Sequence, residues 1–313
     1  MRTLAPTRNP LRRTSAALAL GAVLALSSCA TFTNNSTAAS VNGRDISRDQ
    51  LESFIDEFAA NDQLPLENGV LAGDDARNLL AGIIKADAYT SFLDEFDSPL
   101  TKEQRDAVRD QLGEQSLGNL SSDLKNLIVD INAATEAITA LKAPADAKIE
   151  ALYEERPSLS GAICARHVVV NKKKTAQKVL SLLSNGAEFT DVAKKYSIEP
   201  AAKETGGALQ GQNADGEASP CMSILEYQQN FDPAFTRGAI AARAGIPYGP
   251  VQSSFGWHVI LLAPWDEVKE SALGIVKAEP GPNLATGWLA NADISVDPAY
   301  GRWDPATGTI AAN

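Results

Sequence analysis

The sequence predicts an α+β protein: a helical first half, then a βαααββ unit built on a small antiparallel sheet. Three observations carry this. Between residues 41 and 160, apolar side chains recur at three- and four-residue spacing. Two short β-branched runs, ARHVVV (165–170) and GWHVILL (256–262), bracket three helix-like stretches and a Gly-rich turn. Each run carries one of the chain's two histidines, His167 and His258, at its mouth.

The chain begins with a basic region, Arg2, Arg8, Arg12 and Arg13, and then an apolar run, AALALGAVLAL (16–26). A membrane-spanning helix takes about 20 apolar residues. The run is shorter, so residues 1–28 read as a secretory signal peptide. The end of that segment, LSSC (26–29), resembles the bacterial lipobox, whose cysteine becomes the lipidated first residue; here that is Cys29. The alternative is an ordinary signal peptide with an incidental cysteine. Residues 29–40, which include TFTNNSTAAS, read as a polar tether.

In the stretch 41–160, Asn42-Gly43 marks a turn and Ser47 can cap a helix whose core face is Leu51, Phe54, Ile55 and Phe58. A second helix from Asp75 carries Leu79, Leu80, Ile83 and Ile84. Thr101-Lys-Glu-Gln has a weak capping pattern, and Asp123–Leu141 is another long amphipathic run. Pro65, Pro99 and Pro144 punctuate these elements.

In residues 161–263, helices are predicted over Thr175–Leu183, Phe189–Tyr196 and 231–245, with a loop at 206–220. YGPVQS then pairs with GWHVILL. Residues 264–313 hold one predicted helix, Asp266–Val276, and a Pro/Gly-rich tail whose AYGRWDPATG reads as ordered because it contains two aromatics.

The net charge is −11, and removal of the first 28 residues leaves 24 basic against 39 acidic side chains, near −15. That charge argues against nucleic-acid binding, which needs basic surface to neutralise phosphates. Export places the two remaining cysteines, Cys164 and Cys221, in a disulfide-permissive compartment. A bridge between them is favoured over two separate buried thiols. A cysteine hydrolase fits less well, because no orienting pattern surrounds either thiol. No third ligand is spaced to join the histidines in a metal site, and no cofactor motif is present.

Five motifs in order resemble the parvulin family of peptidyl-prolyl isomerases. They are ARHVVV, NGAEFTDVAKKYS (185–197), KETGGAL (203–209), the helix and turn FTRGAIAARAG (235–245) and GIPYGPV (245–251), and GWHVILL. The resemblance implies that His167 and His258 lie side by side on the sheet as the floor of an active site. The bland counterpart is a buried histidine pair that only shapes the sheet. The resemblance further implies Glu199 as the polar partner near the substrate amide, with His167, Glu199 and His258 as the catalytic set. Leu209, Phe231 and Phe235 become the proline pocket, with Ser253 and Phe255 as further substrate contacts. For the aromatics, core packing stands as the competing role.

Two departures bear on activity. Ala208 and Gln210 replace the usual acid and glycine of the turn, and 21 residues separate Leu209 from Phe231. The insertion carries Cys221, so a bridge would pin it over the sheet. A signal sequence, then VNGRDIS before a helical region, then a parvulin unit is similar to the layout of the extracytoplasmic SurA and PrsA foldases. This implies a SurA-N-like chaperone domain over 41–160, with residues 264–313 packing back on it. The function implied is a foldase, lipid-anchored to the cell membrane, that isomerises X-Pro bonds in unfolded, newly exported proteins. A catalytically weak chaperone of the same shape is the alternative.

Overall fold

The computed structural model describes residues 36–61, 63–64, 66–67, 70–212 and 215–313. The signal segment 1–28 and Cys29 lie outside the described residues.

Strands β1 (Thr37–Val41) and β2 (Arg44–Ser47) form a hairpin. Its turn residues Asn42 and Gly43 both have positive φ, 48° and 81°, which suits a two-residue hairpin turn. Helix α1 (Arg48–Ala60) follows at once, and the Ser47 hydroxyl accepts the Gln50 N–H at 3.0 Å. Helices α2 (Gly73–Glu95), α3 (Lys102–Leu117), α4 (Ser122–Ala140) and α5 (Asp146–Glu155) come next. Thr101 and Gln104 cap α3 reciprocally, at 3.2 and 2.8 Å. Leu51, Leu80, Ile84 and Leu124 are fully buried on the expected stripes.

Strand β3 (Ala165–Val170) opens the second part. Then come α6 (Lys173–Ser184), α7 (Phe189–Tyr196), α8 (Pro200–Glu204), α9 (Ile224–Asn230) and α10 (Pro233–Ala241). Strands β4 (Tyr248–Ser253) and β5 (Gly256–Leu262) close it. The sheet order is β4-β5-β3, antiparallel throughout. Two short helices, α8 and α9, are additions to the expected three. Pro200 starts α8, and Ser223 with Glu226 forms a capping box on α9. The predicted 206–220 loop contains a small pairing of Gly211–Gln212 with Ala218–Ser219.

The C-terminal segment departs most from expectation. After α11 (Trp265–Ala278), the supposed tail forms α12 (Pro280–Asn291), β6 (Ile294–Val296) and a hairpin of Arg302–Asp304 with Thr309–Ala311. Strand β6 pairs with β1, so β1 is the middle strand of a three-stranded sheet. Thr37–Ser40, read as the end of the tether, are therefore strand. Their small side chains suit a strand covered on both faces, and Ala38 and Ala39 are wholly buried. One core joins Phe92, Val129, Tyr153, Trp265, Val276 and Leu284, from α2, α4, α5, α11 and α12.

Candidate active site

The register of β3 against β5 sets the site. His258 is opposite Val169 and His167 is opposite Ile260, so the histidines are diagonal neighbours on one face. Side chains alternate across a strand, so Val168 and Val259 point to the other face, against α6 and α7. Both histidines are buried, 6% and 4% exposed. Their Nδ1 atoms are 3.3 Å apart.

The outer nitrogens are also engaged. His167 Nε2 is 2.6 Å from Glu199 Oε2, and His258 Nε2 is 2.7 Å from Ser253 Oγ, which accepts the Phe255 N–H at 3.0 Å. A carboxylate only accepts, so His167 donates from Nε2 and offers a bare Nδ1. His258 then donates from Nδ1 and accepts the Ser253 hydroxyl at Nε2. One directional chain results, from Phe255 N–H through Ser253, His258 and His167 to Glu199, with both rings neutral.

Burial agrees with that assignment. It lowers the His258 pKa to about 4, with a smaller contribution from His167 and opposition from Asp232. Burial also lowers the His167 pKa, although Glu199 opposes the shift. For His258 the folded pKa lies below the ordinary 6.5, so the unfolded chain binds more protons between those values. The stability conferred by neutral His258 is complete above pH 6.5 and is lost as pH falls towards 4, about 3 kcal/mol in all. Urea unfolding at about pH 7 and about pH 4.5 should show a larger loss in the wild type than in His258→Gln. Equal losses would contradict the neutral-pair assignment.

Local backbone places the partners. Ile198 N–H donates to Val169 O at 2.9 Å, which sets Glu199 beside β3. The His167 N–H donates to Gly207 O at 2.7 Å and the Leu209 N–H to Ala165 O at 3.0 Å, so the GGAL turn lies along the strand. Gly207 has φ of +87°, and a Cβ there would sit 2.7 Å from His167 O.

A cleft of about 360 Å³ opens above the pair, lined by His167, Val169, Ile198, Glu199, Leu209, Asn230, Phe231, Asp232, Phe235, Phe255 and His258. Phe235 meets both imidazoles edge-on, at centroid distances of 5.4 and 5.0 Å, and stacks on Phe231 at 5.7 Å. Phe235 is 2% exposed, so it is both core and cleft wall. The structure thus gathers His167, Glu199, His258, Leu209, Phe231, Phe235 and Phe255 at one cleft. Ser253 joins the site through its hydroxyl, which meets His258 Nε2, and is absent from the residues that line the cleft itself. Phe255 is the reverse of a packing residue; it stands at the cleft 72% exposed.

Asp232 was missed in the sequence, although Asp-Pro before a helical run is a legible cap signal. Its carboxylate accepts Ala234 N–H at 2.8 Å and both the N–H and hydroxyl of Ser254, at 3.0 and 2.7 Å. Burial alone would raise its pKa, but these hydrogen bonds outweigh it and the net shift is downward. Cys164, just before β3, is bridged to Cys221, 57 residues on.

A family model described as the PPIC-type PPIASE domain matches residues 162–263, the span that holds every residue of this site. Residues 162–263 are a parvulin-type peptidyl-prolyl isomerase domain. The foldase protein PrsA of Clostridium kluyveri is 33% identical over 125 residues, 40% of this chain and 32% of that protein. The aligned stretch thus spans about a third of that relative's length. The foldase protein PrsA 3 of Bacillus anthracis is 26% identical over 217 residues, 63% of this chain and 69% of that protein. The crystal structure of PrsA from Bacillus subtilis is 19% identical, with a TM-score of 0.28 over 83% of this chain and 94% of that one. Among the described residues no helix is long and apolar enough to cross a membrane, and no group of three potential metal ligands is present.

Proposed function

We propose that the chain is a lipid-anchored extracytoplasmic foldase that speeds cis/trans isomerisation of X-Pro bonds in newly exported proteins. In this reading residues 41–160 and 264–313 hold unfolded segments, while the parvulin domain turns the bond. The observation that carries it is the neutral histidine chain at the floor of an aromatic cleft. The basic start, the apolar run and Cys29 support export and lipidation.

The chemistry asks little of the side chains. Amide conjugation sets a rotation barrier of about 18–20 kcal/mol. A catalyst lowers it by holding the twisted amide better than either planar form. Leu209, Phe231 and Phe235 offer an apolar seat for the proline ring. The cleft removes water from the amide, which favours the less polar, twisted form. Glu199, the histidine pair and Ser253 hold fixed dipoles at the seat without offering a nucleophile.

The test is exchange NMR on X-Pro peptides with the chain from residue 30 onward. Exchange well above background is expected, with a fall on the order of tenfold to a hundredfold in His258→Ala. Background exchange by correctly folded protein would overturn the enzyme reading. The exposed Phe255 supports a second reading, a peptide clamp with little turnover. Suppression of client aggregation that survives His258→Ala, without exchange in either protein, would favour it.

A further inference from the structure

Each carboxylate of the cleft stands beside a different histidine. Glu199 accepts from His167, and Asp232 acts on His258 from the N-terminus of α10. Among the described residues, neither Lys nor Arg lines the cleft. The histidines, neutral in the hydrogen-bond chain derived above, do not offset this charge. The aromatic seat therefore shares its cleft with two carboxylates.

Each carboxylate also has an exposed apolar companion. Ile198 precedes Glu199 and is 44% exposed. Phe255 follows Ser254, the residue that Asp232 holds, and is 72% exposed. Exposed apolar surface beside a carboxylate suits a long cationic side chain. The methylenes of Lys or Arg lie along the apolar residue while the head meets the acid. Phe255 adds a ring face for a cation. A phosphorylated or acidic neighbour of proline meets like charge at both ends.

Resting on the isomerase reading, we infer that the site selects prolines flanked by Lys or Arg, with Glu199–Ile198 and Asp232–Phe255 as the two specificity pairs. Negative net charge on the whole chain, −11, draws cationic segments to it at low salt. Clients of this chemistry are basic, proline-containing stretches of unfolded polypeptide.

The experiment measures exchange NMR rates with the chain from residue 30 onward, on peptides of the frame Ala-Xaa-Pro-Phe and Ala-Ala-Pro-Xaa. Xaa is Lys, Leu, Ala, Glu or phosphoserine. In at least one frame Lys should exceed Glu in kcat/KM by about tenfold at low salt, with phosphoserine lower still. The ratio should shrink at high salt. Glu199→Gln keeps the shape and an acceptor oxygen for His167, while Asp232→Asn keeps the shape and one of the two acceptor oxygens that hold Ala234 and Ser254; each should lower the Lys-to-Glu ratio whatever it does to the absolute rate. Acceleration of the alanine peptides with Lys and Glu within about twofold in both frames would overturn the charge selection and leave the isomerase standing. No acceleration of any peptide would overturn both.

Discussion

Gly281→Ala should cost about 3 kcal/mol or more of folding stability. A Cβ built on Gly281 would lie 1.6 Å from the carbonyl oxygen of Ile138 and 2.7 Å from its carbonyl carbon. Those are backbone atoms of α4, so no side-chain rotation relieves the clash. Either α12 or the last turn of α4 must move, and the core they share with α2 and α11 opens. Gly274 on α11 is the control, because nothing lies within 4 Å of a Cβ there. Gly274→Ala should be neutral or stabilising by up to about 1 kcal/mol, from helix propensity and the stiffer unfolded chain. Urea unfolding of both variants checks the pair. Similar midpoints for the two would show that α12 does not pack this closely.

The same glycine explains why α12 was not legible. Pro280, Gly281, Pro282 and Gly287 together read as tail by composition. Yet Pro280 and Pro282 sit in the first turn, where their missing N–H groups are not needed by the helix. Gly281 faces Ile138, and a Cβ on Gly287 would lie 2.5 Å from Ser158 O. The glycines are there because another backbone passes close by, and that partner lies far away in the sequence. Thr37–Ser40 failed for a related reason: small residues look like linker unless the strands on both sides are known. What was legible was local. The stripes of α1 and α2, the cap at Ser47 and the two histidine-bearing strands each repeat within a few residues. Diagonal pairing of those strands then follows from their register.

Ordered motifs make most of the site legible: His167, His258 and Phe235, which are buried, and Glu199 and Phe255, which are partly and largely exposed. The turn between β4 and β5 places Ser253 and Phe255: it brings the Ser253 hydroxyl to His258 and leaves Phe255 exposed at the cleft. The WDPATG stretch also acquires a physical account. Asp304, 5% exposed, accepts from Arg237 on α10 at 2.6 Å and from the Ala306 N–H at 3.0 Å. Gln228 on α9 donates to Pro305 O at 3.0 Å. The C-terminal hairpin thus grips both helices that flank Phe231.

The bridge between Cys164 and Cys221 ties the insertion to the start of β3, and its removal is the second large effect. The cysteines are 57 residues apart, and closing a loop of that length restricts the unfolded chain by about 4 kcal/mol in the chain-entropy account. Both are buried, at 2% and 0% exposure, so the native protein should resist reductant until it opens. Cys164 leads directly into the strand of His167. Cys221 lies in the insertion between Leu209 and Phe231, beside the short pairing of Ile163 with Met222. Cutting the link frees the insertion from the sheet edge while leaving the histidine chain intact. The Cys164→Ala/Cys221→Ala variant should therefore lose about 4 kcal/mol in guanidinium unfolding. Where it remains folded, it should raise KM for X-Pro peptides more than it lowers kcat, because the proline seat loosens while the hydrogen-bonded floor stays. An unchanged unfolding midpoint would show that the insertion is held by its own packing. A fall in kcat at constant KM would show instead that the bridge supports β3 and His167.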